Sequence, residues 1–404
     1  MMVADPLPAA MQALIDRVRA ARADKTPLNI TGGNTKSFYG EAPVGLALPT
    51  GALTGISSYE PSELVVTVRA GTPLAELEAA LAEQGQCLPF EPPRFAPAGM
   101  AGEAAPAGGV SGEAAPQSGM SGETAPNGRT VGGTVGGTVG GMVAAGLAGP
   151  ARAAVGGLRD YVLGATLLTG RAELLSFGGQ VMKNVAGYDV SRLLAGSMGL
   201  LGVICEVSLK VLPVAVATAT LRFDIDQAGA LRQLNTWGGQ PLPINASAWW
   251  AGRLVLRLSG AAAAVQAAVT KLGGEVVGPA LAAAFWAGLR DQTDEFFNHA
   301  TAALAGGARL WRLSVPQTAA PLALDGEQLV EWGGAQRWLV SSAPAAVLRS
   351  AAALAGGHAS VFRGDKTGGA LAPLATPLLT IHQELKTAFD PDRIFNPGRL
   401  YAGL

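Results

Sequence analysis

Two glycine-rich stretches hold the residue types from which phosphate-binding loops are made. ITGGNTKSFYG runs from Ile30 to Gly40, and TVGGMVAAGLAGPARAAVGGLRDYVLGATLLTG from Thr138 to Gly170. Glycine reaches left-handed backbone angles and, having no side chain, lets a ligand approach the peptide N–H groups. Clustered N–H groups form an anion site, the usual answer to a diphosphate. One paired glycine at a turn is an ordinary strand-to-loop connection. Two such loops could hold one dinucleotide from two sides.

The elements around them read as strands and helices of an α+β fold. Met11, Leu14, Ile15 and Val18 fall at i, i+3, i+4 and i+7, an amphipathic helix. LNITGG, VGLALPT, LTGISSY and ELVVTVRAG read as short strands. Thr72 is expected to cap a helix with Pro73 in its first position, Leu74, Leu77 and Leu81 on one face and Gly85 at its end. Val162–Leu168 and Leu174–Phe177 flank TGRAE as a hairpin. In GVICEVSLKVLP, Val203, Cys205, Val207, Leu209 and Val211 alternate with Ile204, Glu206, Ser208 and Lys210, which predicts a half-buried strand.

Residues 98–137 differ in kind. The unit G-[MV]-[AS]-G-E-[AT]-A-P begins at Gly99, Gly109 and Gly119, and VGGT, VGGT and VGGM follow from Val131, Val135 and Val139. Such units bury too little to fold, so a disordered insertion is expected. Thr130, Thr134 and Thr138 are equivalent by repeat. Thr138 is preferred because it adjoins the small-residue segment.

Beyond residue 215 the order is strand (ATLRFDID), helix, a strand pair around Ala251–Gly252, a helix at 261–272, strands at ARLWRLSV and QRWLVSS, and a helix at 344–355 leading into ASVFRGD. This predicts a smaller α+β domain with an antiparallel sheet. HQELKTAFDPDRIFNPGRLY reads as a helix broken at Pro391, then an NPG turn.

The 29 basic and 30 acidic residues among 404 give a net charge of −1, so no basic field attracts nucleic acid or an anionic membrane. Two isolated cysteines, Cys87 and Cys205, make no disulfide framework and fit packing thiols in a reducing compartment. The N-terminal segment lacks the pattern of a secretory signal and no apolar run spans a bilayer, so a cytoplasmic location is expected, with membrane association only through partners.

In order along the chain, ITGGNTKSFYG, LPFEPPRFAP, the Thr138 segment, GGQVMKNVAGYDVSRLLAGSMGLLGVICEV and FDPDRIFNPGRLY resemble the flavin-binding proteins of the vanillyl-alcohol oxidase/p-cresol methylhydroxylase (PCMH-type) superfamily. The closest resemblance is to the FAD-binding E subunits of bacterial glycolate oxidases (glycolate dehydrogenases). It implies an FAD domain of two α+β subdomains over 1–214, an α+β cap over 215–385, and a tail, 386–404, returning to the FAD domain. It implies a pyrophosphate cradle at Gly32, Gly33, Asn34, Thr35 and Lys36, with a second wall at Thr138, Gly140 and Gly141. Gly187 and Tyr188 would lie near the flavin, Gly202 would belong to the cofactor site, and Ile204 would contact the adenine through its main chain. Lys36 reads equally well as a solvated side chain, Tyr188 as core, and Arg152 with Asp160 as loop anchors or a surface pair.

The implied partners are a paralogous FAD-binding catalytic subunit and an iron–sulfur subunit, and the substrate a small 2-hydroxy acid such as glycolate. The chain lacks the cysteine sets that clusters require. Two departures stand out. Gly146 occupies the place of an asparagine in related catalytic subunits, and their HxGDGNxH metal motif is missing. The three histidines, His299, His358 and His382, all follow residue 290, so non-covalent FAD and no metal site are expected. His358 is the best candidate among them for substrate contact. A subunit that relays electrons or serves assembly without turnover is the alternative reading.

Overall fold

The computed structural model describes residues 8–96, 136–179 and 189–404. Most of the repeat-rich segment, and Gly187 and Tyr188, lie outside the described residues. Gly136 and Gly137 belong to the folded structure, so the expected insertion boundary at 137 is two residues late: Leu74 N donates to Gly137 O at 3.0 Å.

The helix Ala9–Ala23 turns Leu14, Ile15 and Val18 inward, as the spacing predicts. It covers a parallel pair of strands, Leu28–Thr31 and Leu46–Pro49. Leu48, Leu168, Cys205 and Phe395 complete this small core. A larger core lies on the other side of a five-stranded antiparallel sheet, ordered Ile56–Glu60, Val65–Arg69, Val203–Lys210, Val162–Leu168, Leu174–Gly178. The helices Leu74–Glu83 and Val139–Ala145 cover it, with Leu74, Leu77 and Leu81 fully buried.

Two local expectations are corrected. Thr72 does not cap its helix; Pro73 holds that position without a side-chain bond, and Thr72 Oγ1 accepts from Gly55 N at 2.9 Å. The strand Val203–Lys210 is not half-buried but central, with Ile204 and Ser208 buried as well. Pairing places Leu167 opposite Ile204 and Thr166 opposite Glu206, so Cys205 is an extra residue, a β-bulge. The odd positions therefore change faces. Val203 and Cys205 join the small core, Val207 and Leu209 the large one.

The cap holds an eight-stranded sheet whose pairs are antiparallel, ordered Glu275–Val277, Ala217–Asp224, Arg253–Gly260, Ile244–Trp250, Glu327–Glu331, Gln336–Ser341, Arg309–Ser314, His358–Arg363. The helices Gln227–Gly238, Ala262–Leu272 and Ala345–Leu354 stand where the pattern puts them. The helices Pro279–Asp291 and Glu295–Ala305 were not distinguished from sequence, and they carry Trp286, Leu289, Phe296 and Phe297 into the cap core. The expected boundary at 385/386 falls inside the helix Thr376–Phe389, whose Leu385 and Phe389 already pack on the large core. The tail then pairs with the first strand, Leu28 N donating to Ile394 O at 2.6 Å and Asn396 N to Leu28 O at 2.8 Å.

Candidate dinucleotide site

Between the two cores runs an open cleft of about 860 Å³, lined from the first lobe by Thr31–Ser37 and from the second by Thr138, Gly140, Gly141, Gly202 and Ile204. Ten of the twelve site residues expected from the sequence border this one space: Gly32, Gly33, Asn34, Thr35, Lys36, Thr138, Gly140, Gly141, Gly202 and Ile204. Gly187 and Tyr188 lie outside the described residues.

The two walls differ chemically. After the first strand the chain turns with Asn34 in the left-handed region, φ +55°. Among the described residues, none of the five amide N–H groups from Gly32 to Lys36 reaches a protein acceptor. Successive unpaired amides around such a turn are an anion nest. On the opposite wall the amides are engaged. Val139 N donates to Thr72 O at 2.9 Å, Gly140 N to Ala70 O at 2.7 Å, and Gly141 N to the Thr138 hydroxyl at 3.3 Å. The second loop is thus a bare surface rather than a second nest, a correction to its expected role. Packing requires a glycine on each wall: a β-carbon on Gly140 would stand 2.7 Å from that of Ala70, and one on Gly32 of the first loop 2.3 Å from Thr138 Oγ1.

Lys36 is not a solvated side chain. Its ammonium donates to Thr35 Oγ1 and to Gly136 O, both at 3.3 Å, and lies 5.8 Å from the centre of the Phe95 ring. Burial lowers its pKa to about 8, against a smaller opposing pull from Asp291. A cation so poorly solvated gains from any anion placed in the cleft.

Two residues of the tail complete the lining, Asn396 and Arg399. Asn396 Oδ1 accepts from Ile30 N at 2.7 Å while its amide donates to Met198 O at 2.6 Å, stitching the first strand to the second lobe. Arg399 donates through Nη2 to Ser37 O at 2.8 Å, and its buried Nη1 has no hydrogen-bond partner among the described residues. Sequence reasoning brought this tail back to the domain but assigned none of its residues to the site. The polar residues flanking Pro-Gly in FNPGRLY were the available signal.

Arg152 and Asp160 are both exposed, and the carboxylate acts on the guanidinium through its charge. Arg152 stacks 4.7 Å from the Trp332 ring in the cap, and Asp160 accepts from Gly157 N at 2.8 Å. None of the histidines lines the cleft. His299 faces Glu327, His382 bonds Leu378 O, and His358 opens an edge strand at an exposed position. Among the described residues no cluster of His, Cys, Asp or Glu is arranged to hold a metal ion, and no helix is long and apolar enough to cross a membrane. Cys205 is buried and its thiol pushed up to about 12 by desolvation, a packing residue.

The cap closes on the second lobe through a separate set of contacts. Glu91 accepts from Arg257 of the cap sheet at 2.7 Å and from Ala151 N at 2.9 Å, and Asp291 accepts from Arg94 N at 2.9 Å. Beneath them a narrower cavity of about 320 Å³ is lined by Phe95, Leu147, Gly149, Arg312, Glu331 and Phe362 among others.

A nest of open amides facing a glycine surface across an open cleft, under a separate antiparallel cap, is the arrangement expected of an FAD-binding protein of the PCMH type. Residues 6–127 match the family described as FAD binding domain. The chain is 44% identical over 394 residues, 97% of its length and 98% of the relative's, to the glycolate oxidase subunit GlcE of Escherichia coli (strain K12). It belongs to the family of that subunit. It is also 40% identical over 63 residues to glycolate oxidase subunit GlcD of Bacillus subtilis (strain 168), covering 16% of this chain and 13% of that one. A 26% identity over 207 residues links it to a D-lactate dehydrogenase of Anaerostipes hadrus, covering 50% and 35%. Its fold is shared with alkyldihydroxyacetonephosphate synthase, at a TM-score of 0.58 and 14% identity, covering 96% of this chain and 75% of that one.

Proposed function

We propose that this chain is the FAD-carrying subunit of a complex that oxidises glycolate, or a closely similar 2-hydroxy acid, to the 2-oxo acid. The observation that carries the reading is the row of unpaired amides from Gly32 to Lys36, in a chain alike to a glycolate oxidase subunit over nearly its whole length. FAD, when bound, would supply the electron sink for two-electron oxidation of the carbon that bears the hydroxyl group. This chain's residues hold the dinucleotide: the amides of the first loop and Lys36 take the diphosphate, Gly140 and Gly141 leave room for it, and Ile204 borders the adenine. FAD is held non-covalently in this reading, because all three histidines follow residue 290 and none lines the cleft.

Substrate would enter between cap and flavin. Arg312 borders the cavity there, with its guanidinium 5.8 Å from the centre of the Tyr39 ring. Among the described residues it is paired with no carboxylate, and Arg152 adds positive charge beside it. An acid substrate answers that surplus. Electrons would then leave through an iron–sulfur subunit, since two cysteines cannot ligate a cluster on this chain, with a paralogous flavin subunit as the other partner.

The test is purification of the chain alone and with its co-expressed partners. A yellow protein whose glycolate-dependent dye reduction appears only in the complex supports the reading. A folded, colourless chain that takes up no added FAD would sink it.

A further inference from the structure

We infer that Arg399, in the C-terminal turn, is a diphosphate ligand of the bound dinucleotide, so that the chain's last residues form part of the cofactor site. This rests on the FAD reading above. Arg399 is 6% exposed, and its guanidinium is held in place by one bond, Nη2 to Ser37 O. Among the described residues its Nη1 has no partner and is buried, while the residue borders the cleft. A buried guanidinium with an unanswered N–H is an expensive arrangement for a fold to keep. Burial lowers its pKa to about 10, and Glu41 opposes this only in part. The missing element is an anion on the cleft side.

Placement argues for phosphate over the flavin ring. Ser37 directly follows the open amides, so the arginine's anchor is contiguous with the nest. A guanidinium presents a planar fork suited to phosphate oxygens, and it cannot lose its charge at working pH. The backbone is fixed as well: Glu41 N donates to Arg399 O at 2.9 Å, so the turn is docked before any ligand arrives.

The experiment titrates full-length apoprotein with FAD, ADP and riboflavin by calorimetry, comparing wild type with Arg399→Met and Arg399→Lys. A charge-assisted bond to phosphate predicts about ten- to hundredfold weaker FAD and ADP binding in Arg399→Met, with riboflavin unchanged. Arg399→Lys should fall between, because an ammonium cannot hold Ser37 O and fork a phosphate together. If Arg399→Met does not fold, the lysine variant decides alone. ADP binding equal to wild type in a folded variant overturns the inference, as does a loss confined to riboflavin, which would place the arginine at the flavin ring. Wild-type apoprotein that binds neither FAD nor ADP would instead refute the cofactor reading itself.

Discussion

The point that a β-carbon on Gly32 would occupy lies 2.3 Å from the hydroxyl oxygen of Thr138, so the two glycine loops meet in direct contact at the floor of the cleft. That contact fixes the distance between the lobes where the diphosphate would lie. Gly32→Ala should therefore force Thr138 aside, costing about 1–3 kcal/mol by overpacking, and lower bound flavin per mole. Thr138→Ala alone should cost about 1 kcal/mol, through its bond from Gly141 N. The double variant should be more stable than the two single losses added together, because the clash is gone. Strict additivity in urea denaturation would show that the loops do not touch.

Lys36 gives the cofactor affinity a pH dependence with a definite sign. Its pKa is about 8 in the protein without ligand, and a diphosphate beside it raises that value. Below pH 8 the lysine is charged in both states and affinity is flat. Above pH 8 binding must take up a proton, so FAD affinity should fall by up to about tenfold per pH unit until the higher bound-state value is passed. Flavin titrations between pH 7 and 9.5 measure this, and Lys36→Met should flatten the profile at a weaker overall affinity. A wild-type profile as flat as the variant's would place Lys36 away from the phosphates.

Much of this site is legible in the sequence, for local reasons. Paired glycines state where a backbone must be approached, and Leu74, Leu77 and Leu81 state a helix face without any knowledge of neighbours. What is not legible is non-local. The bulge at Cys205 lets one strand serve two cores, and alternation alone predicts the wrong faces for Val207 and Leu209. Whether the amides of Gly140 and Gly141 are free depends on Ala70 and Thr138, and pattern says nothing of their partners. Arg399 joins the site only because residues 390–396 fold back onto Leu28, some 360 positions earlier.

In the cap, Glu331 is buried with its Oε2 accepting from Trp338 Nε1 at 2.6 Å and Gln336 Nε2 at 3.0 Å. Desolvation pushes its pKa up to about 7, with the two bonds opposing. A carboxyl raised above its unfolded value binds more protons in the folded state, so stability is full below about pH 4.5 and is lost as pH rises through 7. Glu331→Gln keeps an oxygen for both bonds and removes the charge. The variant should match wild type near pH 5 and exceed it by about 1–3 kcal/mol at pH 8. Melting temperatures at the two pH values decide it, and a variant less stable than wild type at pH 8 would refute the assignment.

The tail's return is locked by Lys386 and Asp390, 1% and 0% exposed and 2.7 Å apart. Every donor of the ammonium is used: it also reaches Leu200 O at 2.9 Å and Phe395 O at 2.6 Å. Asp390 in turn accepts from Ile394 N at 3.2 Å and Phe395 N at 2.8 Å, so the pair shapes the turn that delivers Asn396 and Arg399 to the cleft. Removing one partner strands a buried charge, a loss of about 3–5 kcal/mol, whereas replacing both with apolar groups is far milder. Lys386→Met should thus lower the melting temperature sharply and release flavin on gel filtration. Lys386→Met combined with Asp390→Leu should regain much of the melting temperature yet not the flavin, because the turn loses the two carboxylate bonds that aim it. Recovery of both properties together would mean that the tail's geometry does not depend on Asp390, and that the cleft is built without it.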